Sequence, residues 1–376
     1  MSPADWRRKL HARPELGFAE HATAGFVAEK LAQFGLEVTA GIGGTGVVGT
    51  LRRGNGGRRI GLRADMDALQ ITEAAPERTH RSQMPGQMHA CGHDGHVAAL
   101  LGAAAELAAA TDFSGTVHFI FQPAEEHGRG MRAMLDDGLL RRFPLDEAYG
   151  LHNMPGLPVG HFATRVGALM AAEDVFEITV RGRGGHAARP HTVIDPILAA
   201  SAVVLSLQQI VARRMDPVEP AVVSVTEFVT DGTRNVIPTT AWLRGDARSY
   251  QPATSAMIEA EMRRIAEATA AAHGAVAEVG YRREFVPTVN AAAPTEYALR
   301  AAEGIFGSVD GACAPIMPSE DFAQLLAEVP GNFAFVGNGE HSAPLHNPAY
   351  DFNDAALPGM IAYYVALVRA RLAPAE

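Results

Sequence analysis

The chain has 376 residues, 47% of them apolar and 20% charged, with a formal net charge of −10. That length calls for roughly two domains of about 100–250 residues each, and that composition belongs to a globular chain, not a disordered one. A sequence pI of about 5.8 disfavours nucleic acid and anionic membrane as partners, and two cysteines, Cys91 and Cys313, exclude a disulfide scaffold and fit a reducing, cytoplasmic compartment.

Residues 1–10 alternate charge around Trp6 and lack the apolar core of a signal peptide. The only lysines, Lys9 and Lys30, fall in N-terminal helical sequence, so Schiff-base or P-loop chemistry is not expected. An amphipathic helix is predicted over 18–34, then strands at 46–51 and 58–64. Between the helix and the first of these strands, Gly41-Ile42-Gly43-Gly44-Thr45-Gly46 satisfies G-x-G-x-x-G. The dinucleotide reading needs a helix next, and Val47-Val48-Gly49-Thr50-Leu51 reads as strand, so a tight turn is expected. A helix over 94–110 contains the longest apolar stretch, 97–105, which stops at Glu106, far short of the ~20 residues of a membrane span. A strand at 116–122, a helix at 129–136 and a strand near 147–151 complete an α/β pattern.

The pattern changes near residue 173. A strand at 175–182 precedes a helix opened by Asp195-Pro196 and running to 214. Strands at 221–229 and 239–249, a helix at 254–272 and a strand at 275–285 follow. This β-α-β-β-α-β order is that of the ferredoxin-like plait. Helices at 295–306 and 320–327, a strand at 332–336 and a helix at 354–372 then resume the first pattern. The expected organisation is therefore a domain of residues 1–173 and 284–376 with residues 174–283 inserted into it.

Four loop motifs carry candidate chemistry. In HACGHDGH, residues 89–96, Cys91 and His93 stand at i, i+2 before a helix, and thiolate with imidazole suits zinc and similar divalent ions. His89, Asp94 and His96 are alternatives or orienting partners. QPAEE, residues 122–126, ends an apolar strand, where α/β active sites collect. Its adjacent Glu125 and Glu126 repel one another unless a cation or a shared proton relieves them, which suggests one metal ligand and one proton-transfer group. His152 follows a further strand, and His346 lies in HSAPLHNPAYDFND with His341 as its competitor. There is no G-x-S-x-G elbow, and Cys91 as a free nucleophile fits its neighbours less well than Cys91 as a ligand.

Taken together the chain resembles the metallohydrolase family of aminoacylases, carboxypeptidase G and succinyl-diaminopimelate desuccinylase, in the branch of hippurate hydrolase and the auxin-conjugate amidohydrolases. The resemblance runs nearly end to end, through WRRKLHARPELGF, GLRADMDAL, HACGHDGH, QPAEE, GLHNMP, GRGGHAARPH, NVIP, PSEDFA and LHNPAYDFND. It implies a zinc-exopeptidase-like α/β/α catalytic domain with a ferredoxin-like lid and dimerisation domain. It implies two divalent ions per subunit, manganese or zinc, with cobalt and nickel also compatible, bridged by Cys91 and completed by His93, Glu126, His152 and His346. Glu125 is implied as general base and then acid, His186 as oxyanion donor from a partner subunit, Asn235 and Arg248 as the substrate carboxylate clamp, and Asp65 as the aspartate behind the ligands. Arg13, Gln70 and the segment 78–84 depart from the family pattern without removing a ligand.

The implied activity is hydrolysis of N-acyl-L-amino acids to a carboxylic acid and an amino acid by a homodimer. A dipeptidase or carboxypeptidase using the same site is the alternative. A catalytically silent metal-binding protein is disfavoured by the intact Glu125–Glu126 pair.

Overall fold

The computed structural model describes residues 1–374, which form two compact units. One comprises Met1–Leu169, Thr288–Ala314 and the chain from Glu320 on; the other comprises Met170–Pro287 with Pro315–Ser319.

The first unit is built on an eight-stranded sheet in the order Glu37–Ile42, Gly46–Arg53, Gly115–Gln122, Arg59–Asp65, Glu147–Pro155, Gly331–Gly339, His161–Ala163, Ser308–Asp310. The four central strands are mutually parallel, with Leu62 opposite both Phe119 and Tyr149, and Phe333 opposite Gly150. Their side chains are buried along nearly their whole length, as expected of parallel strands covered on both faces. Helix His93–Ala109 packs against Leu357–Arg371 and Pro3–His11. It is apolar around most of its circumference and almost wholly buried, which marks it as a core helix. Because the central strands run the same way, Asp65, Gln122, Pro155 and Gly339 all end at one edge of the sheet. The four motifs with candidate chemistry are all attached to that edge or to the helix start beside it.

The glycine-rich segment is the turn of an antiparallel hairpin, in which Ile42 pairs with Gly46. Gly43 has φ +62°, and a Cβ there would lie 2.5 Å from the backbone nitrogen of Met134, so the turn is tight and seated on another part of the chain. The preceding strand, Glu37–Ile42, is absent from the sequence expectation; its largely exposed pattern carries little apolar alternation.

The second unit has its own core, including Phe176, Ile178, Val203, Leu243, Ile258 and Met262. Its four strands lie in the order Ala221–Thr230, Thr240–Ser249, Ala172–Arg181, Val276–Phe285, all antiparallel. Helices Pro196–Leu207 and Pro252–Ala272 pack side by side on this sheet. Asp195 caps the first, accepting from the Ile197 amide at 2.9 Å. The α-helical part stops at Leu207 and a π-turn, Ile210–Arg214, follows. By length and composition the stretch Pro196–Arg214 is apolar enough to cross a membrane (mean hydropathy 1.4), a property hidden in the sequence by its interspersed Ser and Gln. Ala199, Ala200, Val203, Leu207 and Ile210 nevertheless face the core, while Leu198 and Leu205 are exposed.

Candidate metal centre

Cys91 and His93 are presented by the loop and first turn of helix His93–Ala109. Gly92 between them takes φ +92°, and a Cβ there would strike the Asn153 side chain at 2.2 Å, so glycine is required for the approach. Glu125 and Glu126 occupy a single 3-10 turn behind strand Gly115–Gln122, entered through Ala124 at φ +49°. That turn is pinned from below: the Asp67 carboxylate accepts from the amides of Glu125 at 3.1 Å and Glu126 at 3.0 Å, and Glu20 accepts from Ala124 at 2.8 Å. Glu20 also accepts from Thr45 of the glycine-rich turn, so that turn props the Glu125–Glu126 turn. His152 lies on strand Glu147–Pro155 itself, which runs four residues further than the apolar run suggested. His346 sits in the loop after strand Gly331–Gly339.

The donor atoms converge. Cys91, His93 and His152 form one group whose ligand atoms all lie within 4.8 Å of one another; Cys91, Glu126 and His346 form a second, and His93, Glu125 and Glu126 a third. Cys91 belongs to the first two, the position a bridging thiolate requires. Cys91 Sγ is 3.4 Å from His152 Nε2, and His346 Nε2 is 3.3 Å from Glu126 Oε2.

The rings are turned so that their Nε2 atoms face inward. His93 Nδ1 lies 2.9 Å from the Asp67 carbonyl, and His152 Nδ1 lies 2.7 Å from the Asn153 carbonyl. A carbonyl can only accept, so Nδ1 carries a proton in both rings, and in the neutral ring Nε2 keeps its lone pair. Buried His93 Nε2 and Glu126 Oε1 have no hydrogen-bond partner among the described residues. Unsatisfied buried polar atoms are costly, and a divalent cation held by thiolate, imidazole and carboxylate satisfies both. The donor set therefore fits a pair of divalent ions.

The electrostatics point the same way. Burial, with Glu126 and Glu125 next to it, pushes the Cys91 thiol well above its usual range, a penalty that a coordinated cation reverses. Burial pushes Glu125 well above the carboxylate range, with Glu320, Glu126 and Asp321 adding to it. His152 is held neutral by burial and by His96 beside it. His93 is pushed up to about 10, against its burial, by Asp65 and Asp67, so a proton and a cation compete for its Nε2.

The other sequence candidates take different places. Asp65 hydrogen-bonds His96 Nδ1 at 2.6 Å and lies 3.7 Å from His93 Nε2. The residue that orients His93 is Asp67, two positions on, which was not among the sequence candidates; the signal available was a second aspartate in RADMDAL. His96 Nε2 is engaged by Asn153, Asp94 by His11 at 2.8 Å, and His89 is buried with neither ring nitrogen partnered among the described residues. His341 is exposed and belongs to none of these groups.

Glu320 and Asp321 surround Arg63, whose guanidinium is fully buried. Arg63 donates to Glu320 at 2.7 Å, Asp321 at 3.2 Å, Asp65 at 2.8 Å and Gln122 at 2.8 Å.

In the second unit, a two-stranded ladder sets His186 opposite Val236, and the Ala187 amide donates to the Asn235 carbonyl at 3.1 Å, so His186 and Asn235 are neighbours. The Ala188 amide donates to His186 Nδ1 at 3.0 Å. Arg248 lies on strand Thr240–Ser249, ion-paired with Asp246 at 2.5 Å and Glu173 at 3.0 Å and bonded to Ser319 at 2.9 Å.

The sequence is similar to hippurate hydrolase of Campylobacter jejuni, 40% identical over 96% of this chain and 94% of that protein. It is similar to thermostable carboxypeptidase 2 of Saccharolobus solfataricus, 39% identical over 89% and 86%. In structure it resembles the Bacillus subtilis YXEP protein, a dinuclear metal-binding peptidase, with TM-score 0.86 and 34% identity over 98% of this chain and 97% of that one. Residues 61–370 match peptidase family M20/M25/M40, and the chain belongs to that family, as a hydrolase acting on amide bonds.

Proposed function

We propose that the protein hydrolyses N-acyl-L-amino acids, hippurate-like compounds among them, to a carboxylic acid and a free amino acid. The observation that carries this reading is the convergence of Cys91, His93, His152, Glu126 and His346 around shared positions with Glu125 beside them. Bound divalent ions would supply Lewis acidity and an acidified water at neutral pH. Glu125 takes the proton from the attacking water and returns it to the leaving amine; burial and the neighbouring carboxylates raise its pKa, which favours its return of the proton as an acid.

His186 is the oxyanion donor in this reading. Its Nδ1 accepts a backbone N–H, so in the neutral ring the proton sits on Nε2, which is then free to donate. Asn235 and Arg248 take the substrate carboxylate. Arg248 already holds Glu173 and Asp246, so a substrate carboxylate binds by exchanging with one of these. The second unit, with its β-α-β-β-α-β order, serves as a ferredoxin-like lid and dimerisation domain. Exposed Leu198, Leu205, Phe228 and Val229 on its outer helix and edge strand suit pairing with a second copy. The working species is a cytoplasmic homodimer carrying two manganese or zinc ions per subunit.

The resemblance to a carboxypeptidase keeps peptide bonds as a second substrate class. The deciding experiment is amino-acid release from N-acetyl, N-benzoyl and dipeptide substrates by metal-stripped protein resupplied with manganese or zinc. Metal-dependent release from N-acyl amino acids that vanishes in Glu125→Gln supports the proposal. Release from dipeptides alone moves it to a peptidase, and protein that binds no metal overturns the ligand assignment.

A further inference from the structure

Four of the five ligand side chains sit on or directly beside regular elements. Cys91 and His93 sit at the start of a seventeen-residue helix, Glu126 in the turn behind a central strand, and His152 on a central strand. His346 differs. It lies in an irregular loop, its side chain is 53% exposed, and its φ of +61° is a left-handed conformation that side chains other than glycine rarely adopt. A ligand must be held within a few tenths of an ångström to keep its metal, so this one needs support from outside its own segment.

The support comes from the start of the HACGHDGH motif and the segment before it. The His346 amide donates to the Ala90 carbonyl at 2.8 Å, and the Ala74 amide donates to the Pro348 carbonyl at 2.9 Å. Arg78 then takes the next two carbonyls, donating to Ala349 at 3.1 Å and to Tyr350 at 2.7 Å. Three successive carbonyls after the ligand are thus captured. Arg78 is itself fixed from behind by Glu73 at 2.5 Å and flanked by Asp351 at 3.3 Å. The other oxygen of Glu73 accepts from the Ser82 amide at 2.6 Å. The planar guanidinium suits this fork of acceptors, where an ammonium would serve only one of them well. The segment 78–84 departs from the family pattern, so this clamp belongs to the part of the chain that family likeness does not explain.

We propose that Arg78 is a positioning residue for the metal ligand His346, holding the 346–351 loop so that its imidazole stays on the second metal position. This rests on the two-metal reading of the site. The test is titration of metal-stripped protein with Mn²⁺ against a chromophoric chelator, on wild type, Arg78→Ala, Arg78→Lys, His346→Ala and the Arg78→Ala/His346→Ala double variant. The expected result is that Arg78→Ala weakens one of two Mn²⁺ sites by about ten- to hundred-fold, the range seen when the support of a ligand is removed. The other site keeps its affinity, Arg78→Lys falls between, and excess Mn²⁺ restores kcat with KM unchanged. The double variant binds no more weakly than His346→Ala alone, because Arg78 acts through that ligand.

Two wild-type sites in Arg78→Ala, an equal loss at both sites, or an additive double variant overturns the proposal and leaves the two-metal reading standing. Wild-type protein that binds no Mn²⁺ overturns both.

Discussion

Replacing Arg63 with Met removes the guanidinium at the centre of a buried cluster of acids. Arg63 is 1% exposed, as is Glu320, and Asp65 and Asp321 are fully buried. The guanidinium donates to all three carboxylates and to Gln122. Breaking a buried ion pair from one side costs about 3–5 kcal/mol, because the partner charge stays buried; here three partners stay. At about 2–4 °C per kcal/mol for a unit of this size, the midpoint should fall by roughly 6–20 °C at pH 8.

The loss should also depend on pH. Burial, with Glu320 beside it, pushes Asp321 up to about 8 even with Arg63 present, against an unfolded value of about 3.9. The folded state therefore holds a proton that the unfolded state has released. Stability from this group is present below about pH 4 and is lost as pH rises towards 8. Without Arg63, Glu320, already raised by burial, and Asp65, now held low by His93, His96 and Arg63 against its burial, move upward as well. Each proton so retained steepens the slope by about 1.4 kcal/mol per pH unit. Urea unfolding of metal-stripped wild type and Arg63→Met between pH 5 and 8 measures this. A gap between them that widens with pH is the expected outcome. A gap under about 1 kcal/mol at pH 8, or one that does not change with pH, refutes the account of the cluster.

Three further outcomes are expected. His186→Ala should lower kcat by about 10²–10³-fold, the usual cost of one oxyanion donor, with the metal content unchanged; mixing it with Glu125→Gln should recover activity only where the histidine is donated between subunits. Leu205→Glu, at a side chain 75% exposed on the outer helix, should shift sedimentation towards monomer without changing the thermal midpoint of the catalytic unit. Gly43→Ala should cost at least about 1–2 kcal/mol, since its φ is +62° and the new Cβ meets Met134 backbone at 2.5 Å; thermal unfolding reads it.

The motifs that converge at the site were legible because each packs unusual chemistry into a few residues at a strand end or a helix start. Adjacent glutamates at such a point need a cation or a shared proton whatever the fold. Partners far apart in sequence left no such trace. Glu320 and Asp321 had no physical account from sequence, because Arg63 lies more than 250 positions away. Asp65 and Asp67 are both spaced to face one way along a strand, but the strand ends at Asp65. Past that residue the chain leaves extended geometry, so alternation could not tell which aspartate would reach His93. His89 stood in the sequence as an alternative to His93; both are buried, but only His93 joins the converging donor groups. Strands of three residues, such as His161–Ala163 and Ser308–Asp310, are too short for alternation to register.

The interrupted catalytic unit has a consequence for biosynthesis. Residues 170–287 supply nearly all of the second unit, including its core residues, so its fold can form on the ribosome before Pro315–Ser319 emerge to complete it. The parallel sheet still lacks its strand Gly331–Gly339 at that moment. Four of the five proposed ligands are by then outside the ribosome, but His346 is among the last tenth of the chain to be made. A nascent chain therefore carries most of a metal site for a long interval without being able to close it. On the proposed ligand set, capture of the second ion, and with it hydrolysis, waits for the completed sheet.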